Sequence, residues 1–335
     1  MSRPGEFELI DRYFKPLALT AGAFGLGDDA AVLTVGAGKT VVVTTDAVAA
    51  GVHFFTDDPP EAIAAKALRV NLSDLAAKGA EPLGYLLVLA LAAGWSEDWV
   101  QVFARGLAAD QTRYGITLLG GDTLRAAGGT TIAITAFGTI EGSMVQRRGA
   151  RAGDALFVSG TIGDAALGLW LRDRAHTALS ADPRYRRLLQ RYLYPEPRLA
   201  LAAVLRAYAS AAMDISDGLM GDLGRLCVAS GVTATVNVEG VPLSPAAADL
   251  IGGRRDLMTR VLAGGDDYEI LATVAPANVS KFIAGAKQAG VPVAEIGRIV
   301  AGEGPPKAML GGGEELPLER LSYDHFAGSD GASVT

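Results

Sequence analysis

Five apolar or β-branched runs in this chain end at clusters that contain aspartate. One further aspartate, Asp74, lies in the helical segment at residues 70–75. Carboxylates placed in this way either cap turns or bind divalent cations, so their combined pattern matters more than any one of them. The five clusters are Gly27-Asp28-Asp29, Thr44-Thr45-Asp46, Gly120-Gly121-Asp122, Asp214-Ile215-Ser216-Asp217-Gly218 and Gly264-Gly265-Asp266-Asp267.

Each cluster taken singly favours an Asx-turn or a helix cap. Taken together, several carboxylates at one edge of a sheet would repel one another unless cations neutralised them. Mg²⁺ prefers oxygen ligands and usually shares one or two carboxylates with substrate phosphates. Glycines beside the acids let backbone N–H groups approach phosphate oxygens closely. The pattern therefore predicts a nucleotide-phosphate and Mg²⁺ site.

The elements that must position these acids read as mixed strands and helices. Apolar or β-branched runs predict strands at residues 41–45, 85–91 and 132–140. Near-helical spacing predicts helices over residues 61–78 and 95–114, the second with Ser96 as its N-cap. The first 140 residues therefore fit helices packed on one face of a sheet.

A polar, glycine-bearing segment at residues 147–154 marks a domain boundary. Beyond it the sequence predicts a strand at 155–159, helices near 165–171, 184–194 and 198–210, and α/β alternation to about residue 300. We therefore expect domains at residues 1–146 and 147–326 and a flexible tail at 327–335. The segment Gly160–Asp164 is either a tight turn or a helix start able to bind an anion.

Composition excludes several classes of function. Thirty basic against 37 acidic residues leave a net charge of −7, which disfavours broad binding to nucleic acid or to an anionic membrane. A single cysteine, Cys227, and three scattered histidines cannot build a usual structural zinc site or an internal disulfide. The longest apolar run, residues 83–93, is too short to cross a bilayer, so we expect a cytoplasmic protein.

Seven segments, in order, resemble the thiamine-monophosphate kinases, a family within the aminoimidazole ribonucleotide synthetase-like superfamily. The glycine-acid pieces recur across the superfamily, whereas the His53 segment and the terminal Tyr-Asp-His-Phe are more specific to the family. The segments are Gly27–Val32, Thr44–Phe54, Lys66–Ala80, Gly120–Thr123, Met213–Leu219, Gly264–Glu269 and Tyr323–Phe326.

The resemblance implies ATP-dependent phosphorylation of thiamine monophosphate to thiamine diphosphate by direct in-line transfer with several Mg²⁺ ions. It implies a two-domain α/β (α+β) fold whose N-terminal sheets pair across a homodimer and bind ATP and Mg²⁺, followed by a C-terminal α/β domain. The implied metal ligands are Asp29, Thr44, Thr45, Asp46, Asp74, Asp122, Asp214 and Asp217. The implied ATP contacts are Tyr114, Gly121, Asp122, Arg147 and Ser216, and the implied substrate contacts are His53, Asp266 and Tyr323.

Among these residues we expect Asp46, Asp74 and Asp122 to hold Mg²⁺ on the nucleotide phosphates while Arg147 steadies a terminal phosphate. Three positions depart from the pattern of the family. Thr44 stands where Ser is common and keeps a hydroxyl, Val52 replaces an Asn, and Asp266 replaces a Glu. The last change shortens a carboxylate by one methylene and could alter substrate geometry.

Simpler alternatives stay open for individual residues. Asp74 could pair with Lys78 on a helix surface, Arg147 could belong to a solvated linker with Arg148 and Arg151, and His53 could cap a strand. Tyr323 is either a packing residue or an aromatic face for a thiamine ring. Cys227 is interpreted as a small core residue.

Two alternative functions also stay open. One is another ATP-dependent enzyme of the same superfamily, which would turn over ATP only with its own acceptor. The other is a catalytically silent nucleotide-binding protein, although all the expected aspartates are present.

Overall fold

The computed structural model describes residues 4–173 and 181–322, which form two compact units. Of the described residues, the first unit comprises those up to Leu75 and residues 81–142, and the second comprises residues 76–80 and those from Ser143 to Ser322. The chain therefore enters the second unit briefly at residues 76–80, returns to the first unit, and passes to the second unit again between Gly142 and Ser143. No helix in the described ranges is long and apolar enough to cross a membrane.

The first unit is a four-stranded sheet with two long helices. Its elements are α1 (Glu6–Leu9), β1 (Lys39–Ala49), α2 (Pro60–Ala77), β2 (Glu81–Leu91), α3 (Glu97–Tyr114), β3 (Leu118–Arg125) and β4 (Thr131–Glu141). A π-helical turn at Ile10–Phe14 and 3₁₀ turns at Lys15–Leu17 and Ala21–Leu26 follow α1. The strand order is β1-β4-β2-β3, in which β1 and β3 form the two edges.

Local sequence explains the helix ends of this unit. Pro60 begins α2, where its missing N–H costs nothing. Ser96 caps α3 as predicted, because its hydroxyl accepts the N–H of Trp99 at 3.1 Å. Gly115 ends α3 in the left-handed conformation at φ 65°. The helices bury Leu68, Leu72, Phe103 and Leu107 in the core of the unit.

The second unit is a six-stranded sheet with helices. Its elements are β5 (Ala155–Ser159), α4 (Asp164–Arg172), α5 (Arg186–Leu193), α6 (Ala202–Tyr208), β6 (Ala209–Asp214), α7 (Leu219–Ser230), β7 (Thr233–Asn237), α8 (Pro245–Ile251), α9 (Arg255–Ala263), β8 (Ile270–Val274), α10 (Val279–Gln288), β9 (Val293–Val300) and β10 (Lys307–Met309). Short 3₁₀ turns lie at Pro183–Tyr185, Leu199–Leu201, Val238–Gly240 and Pro276–Asn278. The strand order is β10-β7-β9-β5-β8-β6.

Both faces of this second sheet are covered. Leu156 and Val158 of β5 enter one apolar cluster, whereas Ala155 and Phe157 enter another. Alternate residues of a strand point to opposite faces, which explains why β5 is one continuous apolar run. The helix predicted to reach Ser210 ends at Tyr208, because Ala209 pairs with Val274 as the start of β6.

Candidate active site

Strand β1 and helix α2 bring two of the predicted metal ligands together. The Thr44 hydroxyl donates a hydrogen bond to Oδ2 of Asp74, which lies one turn before the end of α2. Asp46 lies two residues beyond Thr44 on the same strand, so its side chain leaves the same face of the sheet. This arrangement places oxygen ligands from a strand and a helix beside one another.

Thr45 faces the opposite side of β1. Its hydroxyl donates to the carbonyl of Ile134 at 3.1 Å and lies 3.1 Å from the hydroxyl of Thr135 on β4. The predicted hydroxyl ligands Thr44 and Thr45 therefore point to different faces of one strand.

Asp122 does not lie beside Asp46 within this unit. Asp46 pairs with Ile134, which pairs with Leu87, which pairs with Gly121, so these residues form one row across all four strands. Asp122 is one residue further along β3, at the opposite edge of the sheet, and leaves the other face. The expectation that these acids share one sheet edge is corrected, because the pairing order separates β1 from β3 by two strands.

The remaining predicted ligand of the first unit, Asp29, is exposed in an irregular segment before β1, and its N–H bonds to the carboxylate of Asp28 at 2.7 Å. Within the described residues, no three His, Cys, Asp or Glu side chains converge on one point as a metal cage would require. The oxygen donors named above are of the type that Mg²⁺ takes, together with waters and the oxygens of substrate phosphates.

His53 lies just after β1 and its ring orientation is defined by the backbone. Its Nδ1 accepts the N–H of Ala49 at 3.1 Å, which assigns the ring proton to Nε2. Lys66 donates to the carbonyl of His53 at 2.9 Å, so α2 holds the turn in place. The imidazole therefore caps the end of β1 and carries its proton on Nε2.

The two other predicted nucleotide contacts of the first unit lie in different settings. The ring of Tyr114 has the guanidinium groups of Arg69 and Arg113 at 5.6 and 5.1 Å from its centroid. Gly121 has φ 155°, and a Cβ at this position would collide with the carbonyl of Leu87 on β2. Glycine is therefore required here for close approach of the two strands.

In the second unit, two loops that carry predicted site residues are joined by backbone hydrogen bonds. Asp266 N–H bonds to the Ser216 carbonyl and Tyr268 N–H bonds to the Ile215 carbonyl, each at 2.8 Å. Ile215 N–H bonds in turn to the Glu269 carbonyl at 2.8 Å. The fold thus brings together Asp214, Ser216, Asp217 and Asp266, which are far apart in sequence.

The second of these loops, residues 264–268, has a strained backbone. Asp266 has φ 72° and Tyr268 has φ 50°, in the left-handed region that non-glycine residues rarely adopt. The phenol of Tyr268 donates to Oδ1 of Asp266 at 3.4 Å. Strain of this kind persists only where the surrounding structure determines it, and it occurs preferentially at ligand sites.

Two buried carboxylates on the same segment anchor this loop, and sequence reasoning missed both. Asp267 accepts the N–H of Gly163 through both oxygens, at 3.0 and 2.8 Å, and burial raises its pKa well above the ordinary range. Glu269 accepts from Ser159 at 2.6 Å, from Arg191 at 3.0 Å and from Arg198 at 2.6 Å.

Asp267 also contacts the segment Gly160–Asp164, for which the sequence left a tight turn and a helix start open. This segment does begin a helix, α4, but the N–H of Gly163 already bonds to the chain's own carboxylate. The signal for the anchors was present in the sequence, since Asp267 and Glu269 alternate with Asp266 and Tyr268 in a single run. Alternation predicts opposite sides of the chain, although nothing local identifies the partners Arg191 and Arg198.

Arg147 is exposed, and its backbone is held by Ser230 of α7. The Ser230 hydroxyl donates to the Arg147 carbonyl at 3.2 Å and accepts the N–H of Gly149 at 3.1 Å. A pinned backbone with an exposed guanidinium is compatible with phosphate binding. Tyr323, the third predicted substrate contact, lies outside the described residues.

Two family models match the chain, one for each part. The model described as AIR synthase related protein, N-terminal domain, matches residues 27–140, and the corresponding C-terminal domain model matches residues 151–305. The protein is therefore of the two-domain AIR synthase-related class, which confirms the predicted two-domain α/β fold.

Similar proteins define the family more narrowly. A Caulobacter vibrioides protein named thiamine-monophosphate kinase is 44% identical over 333 residues, with 96% of this chain and 91% of that protein covered. The crystal structure of thiamine-monophosphate kinase from Stenotrophomonas maltophilia is 40% identical with a TM-score of 0.79, covering 94% of this chain and 98% of that one. A structure of AaThiL complexed with AMPPCP and TMP is 32% identical with a TM-score of 0.76, covering 97% and 99%. The chain belongs to the thiamine-monophosphate kinase family and is an enzyme of that type.

Proposed function

We propose that this chain transfers the terminal phosphoryl group of ATP directly to thiamine monophosphate in a Mg²⁺-dependent reaction. The observation that carries the proposal is the joined pair of loops in the second unit, which assembles Asp214, Ser216, Asp217 and Asp266 beside one another. Family membership over nearly the whole chain supports the same reaction, since a relative has been solved with an ATP analogue and TMP.

The reaction exchanges one phosphorus–oxygen bond for another. An oxygen of the thiamine monophosphate phosphate attacks the terminal phosphorus of ATP, the bond to the ADP oxygen breaks, and thiamine diphosphate and ADP leave. Such a transfer needs positioning and positive charge more than a strong base, because negative charge is spread over the transferred oxygens.

The oxygen side chains provide the setting for the cation. We assign Mg²⁺ to Asp29, Thr44, Thr45, Asp46, Asp74 and Asp122 of the first unit and to Asp214 and Asp217 of the second. The bound Mg²⁺ ions would neutralise phosphate charge. The contact between Thr44 and Asp74 supports this assignment most directly, because it aligns two hard oxygen donors.

The remaining side chains bind and orient the two substrates. We assign ATP to Tyr114, Gly121, Asp122, Arg147 and Ser216, with the Arg147 guanidinium on a terminal phosphate. We assign thiamine monophosphate to His53, Asp266 and Tyr323. The Nε2 proton of His53 and the constrained carboxylate of Asp266 provide one donor and one acceptor for this ligand.

We also propose that two copies associate through the sheet of the first unit. Val41, Val43, Val88 and Leu124 are exposed large apolar residues, and the strand pairing places them on one face. A contiguous exposed apolar face of this kind favours burial against another protein surface. We place the enzyme in the cytoplasm, where ATP is supplied and where the lone, buried Cys227 stays reduced.

The activity is tested by chromatography of reactions that contain the protein, Mg²⁺ and ATP. Thiamine monophosphate, free thiamine and no acceptor are compared while ADP and thiamine diphosphate are followed together. Equal amounts of both products from thiamine monophosphate alone, abolished by EDTA, support the proposal. ADP without thiamine diphosphate indicates another acceptor within the superfamily, and ATP binding without turnover indicates a silent binding protein.

The association is tested separately by light scattering coupled to size-exclusion chromatography. The wild-type chain should elute with twice its monomer mass of 34.5 kDa. Val43→Asp, which places a charge on the exposed face, should elute as a monomer, whereas Val228→Asp on an exposed helix position should not alter the mass. A monomeric wild-type chain would contradict the proposed dimer.

A further inference from the structure

Asp222 is a fully buried carboxylate in the first turn of α7, outside the residues assigned above. Its Oδ2 accepts the N–H of Ser216 and the N–H of Asp217, both at 3.0 Å. Burial raises the pKa of Asp222 to about 6, against the opposing effect of these N–H groups and of Arg225. Burying a carboxylate costs free energy unless hydrogen bonds compensate for the lost water, so the contacts of Asp222 must offset this cost.

Those contacts decide which groups the loop at residues 214–218 can offer a ligand. A turn before a helix commonly presents backbone N–H groups to phosphate. Here the N–H groups of Ser216 and Asp217 both point inward to Asp222. The groups of this loop assigned to ligands are the Ser216 hydroxyl and the Asp214 and Asp217 carboxylates, and the directions of Ser216 and Asp217 depend on the backbone that Asp222 holds.

Arg225 joins Asp222 to the side chain of Asp217. Its Nη1 donates to Oδ1 of Asp222 at 2.7 Å and to Oδ2 of Asp217 at 2.5 Å. Asp222 is therefore connected to Asp217 in two ways: it accepts the Asp217 N–H directly, and Arg225 bridges the two carboxylates. The other side of the loop is fixed by the strained segment, since Asp266 N–H bonds to the Ser216 carbonyl at 2.8 Å.

We propose that Asp222 is a positioning residue that fixes Ser216 and Asp217 for binding of the nucleotide phosphates. It touches neither substrate and acts only through the backbone N–H groups of the loop and through Arg225. The proposal rests on the proposed function, because it concerns the same ATP site.

Asp222→Asn is the main test. In one orientation the asparagine oxygen accepts the N–H groups of Ser216 and Asp217, and its NH₂ group then faces the donor Arg225. In the other orientation the oxygen accepts from Arg225, and the NH₂ group then faces the two N–H groups of the loop. Either orientation breaks one of the two connections. We expect faster amide exchange at Ser216 and Asp217, and AMPPCP·Mg²⁺ binding weakened about 10-fold to 100-fold, as displacements near 1 Å produce.

Asp164→Asn is the matched control. Asp164 is also fully buried in the first turn of a helix, α4, and is bonded to an exposed arginine, Arg187, at 3.4 Å. Among the described residues it also accepts from the hydroxyls of Ser244 at 2.5 Å and Thr161 at 2.8 Å, and neither residue belongs to the assigned site. The control should lose comparable thermal stability and keep wild-type AMPPCP binding.

Calorimetric titration with AMPPCP and Mg²⁺ and hydrogen exchange both work without turnover. If the wild-type chain binds AMPPCP but makes no thiamine diphosphate, the proposed function fails while the positioning role is still measured. Wild-type AMPPCP affinity in folded Asp222→Asn overturns the positioning role, as does an equal loss in Asp164→Asn.

Arg225→Gln provides a second variant at a half-exposed position if Asp222→Asn does not fold. This change removes the connection between Asp222 and Asp217 and should weaken AMPPCP binding several-fold, with the loss falling on the KM for ATP more than on kcat. An unchanged KM for ATP in Arg225→Gln would also contradict the proposal.

Discussion

The carboxylates assigned to the site in the first unit and those that anchor the loops in the second unit are held in opposite ways. In the first unit, Asp46 and Asp122 are exposed on strands, and the half-buried Asp74 bonds to the hydroxyl of Thr44. In the second unit, the carboxylates of Asp222, Asp267 and Glu269 are fully buried and hydrogen-bonded.

This difference separates two ways of preparing a phosphate site. Exposed carboxylates keep their hydration until a cation replaces it, so they contribute to binding but little to folding. Buried, paired carboxylates hold loops in one conformation before any ligand binds. Removing such a carboxylate leaves its partner buried and unpaired, which destabilises the folded state. Loss of a carboxylate assigned to Mg²⁺ in the first unit should therefore reduce activity, whereas loss of a loop anchor in the second unit should first reduce stability.

The largest effect is expected for Glu269→Gln. The change removes the buried carboxylate that the guanidinium groups of Arg191 and Arg198 share, which leaves them only the more exposed carboxylate of Glu196. Breaking a buried ion pair by removing one partner costs about 3–5 kcal/mol in the free energy of unfolding. Urea denaturation measures this quantity. The control is Glu295→Gln, whose exposed pair with Arg298 should contribute less than about 1 kcal/mol. Equal losses in both variants would remove the distinction between anchors and surface acids.

Asp74→Asn should show the reverse pattern. Removing one preorganised electrostatic group at a site of developing charge lowers kcat by about 10²–10³-fold. Because Asp74 is only half-buried, we expect the midpoint of thermal unfolding to stay the same or rise. Thiamine diphosphate formation is measured at saturating Mg²⁺. Thr44→Ser is the control, since it keeps the hydroxyl that contacts Asp74, and it should retain turnover. Full Mg²⁺-dependent turnover by Asp74→Asn would falsify the assignment of Asp74 as a metal ligand.

Asp266→Gly separates strain from function within a single residue. Glycine adopts φ 72° without a steric penalty, so the free energy of unfolding should be unchanged or rise by up to about 1 kcal/mol. Loss of a charged hydrogen-bonding group should raise the KM for thiamine monophosphate about 10-fold to 100-fold. Steady-state kinetics measures the change in KM, and urea denaturation measures the free energy of unfolding. A strong loss of stability would show that the Asp266 carboxylate supports the fold instead of the substrate.

The smallest effect concerns Cys227, which tests the packing of the second unit. The thiol is fully buried among apolar side chains, and burial raises its pKa to about 11. At pH 8 only about one thiol in a thousand is then ionised. We expect negligible reaction with a disulfide reagent in the native protein and one thiol per chain in denaturant. Rapid labelling of the native protein would show that this core opens more readily than its burial indicates.

Local patterns in the sequence predicted much of the architecture. Apolar runs identified β2, β4 and β5, and the Ser96 cap located the start of α3. Capping and periodicity act over a few residues, which is why they can be read without the fold. The order of the motifs predicted the family, and the similarity to thiamine-monophosphate kinases over nearly the whole chain confirms it. The residue assignments within the site stay predictions.

The sequence by itself determined which residue types are available: oxygen donors beside glycines, one cysteine, few histidines, and family motifs in a recognisable order. Only the tertiary structure decided how those residues are arranged. It separated Asp46 from Asp122 across a sheet, joined residues 214–218 to residues 264–269, and paired Glu269 with Arg191 and Arg198. Strand order and buried ion pairs depend on contacts between distant parts of the chain, and no local periodicity encodes those contacts.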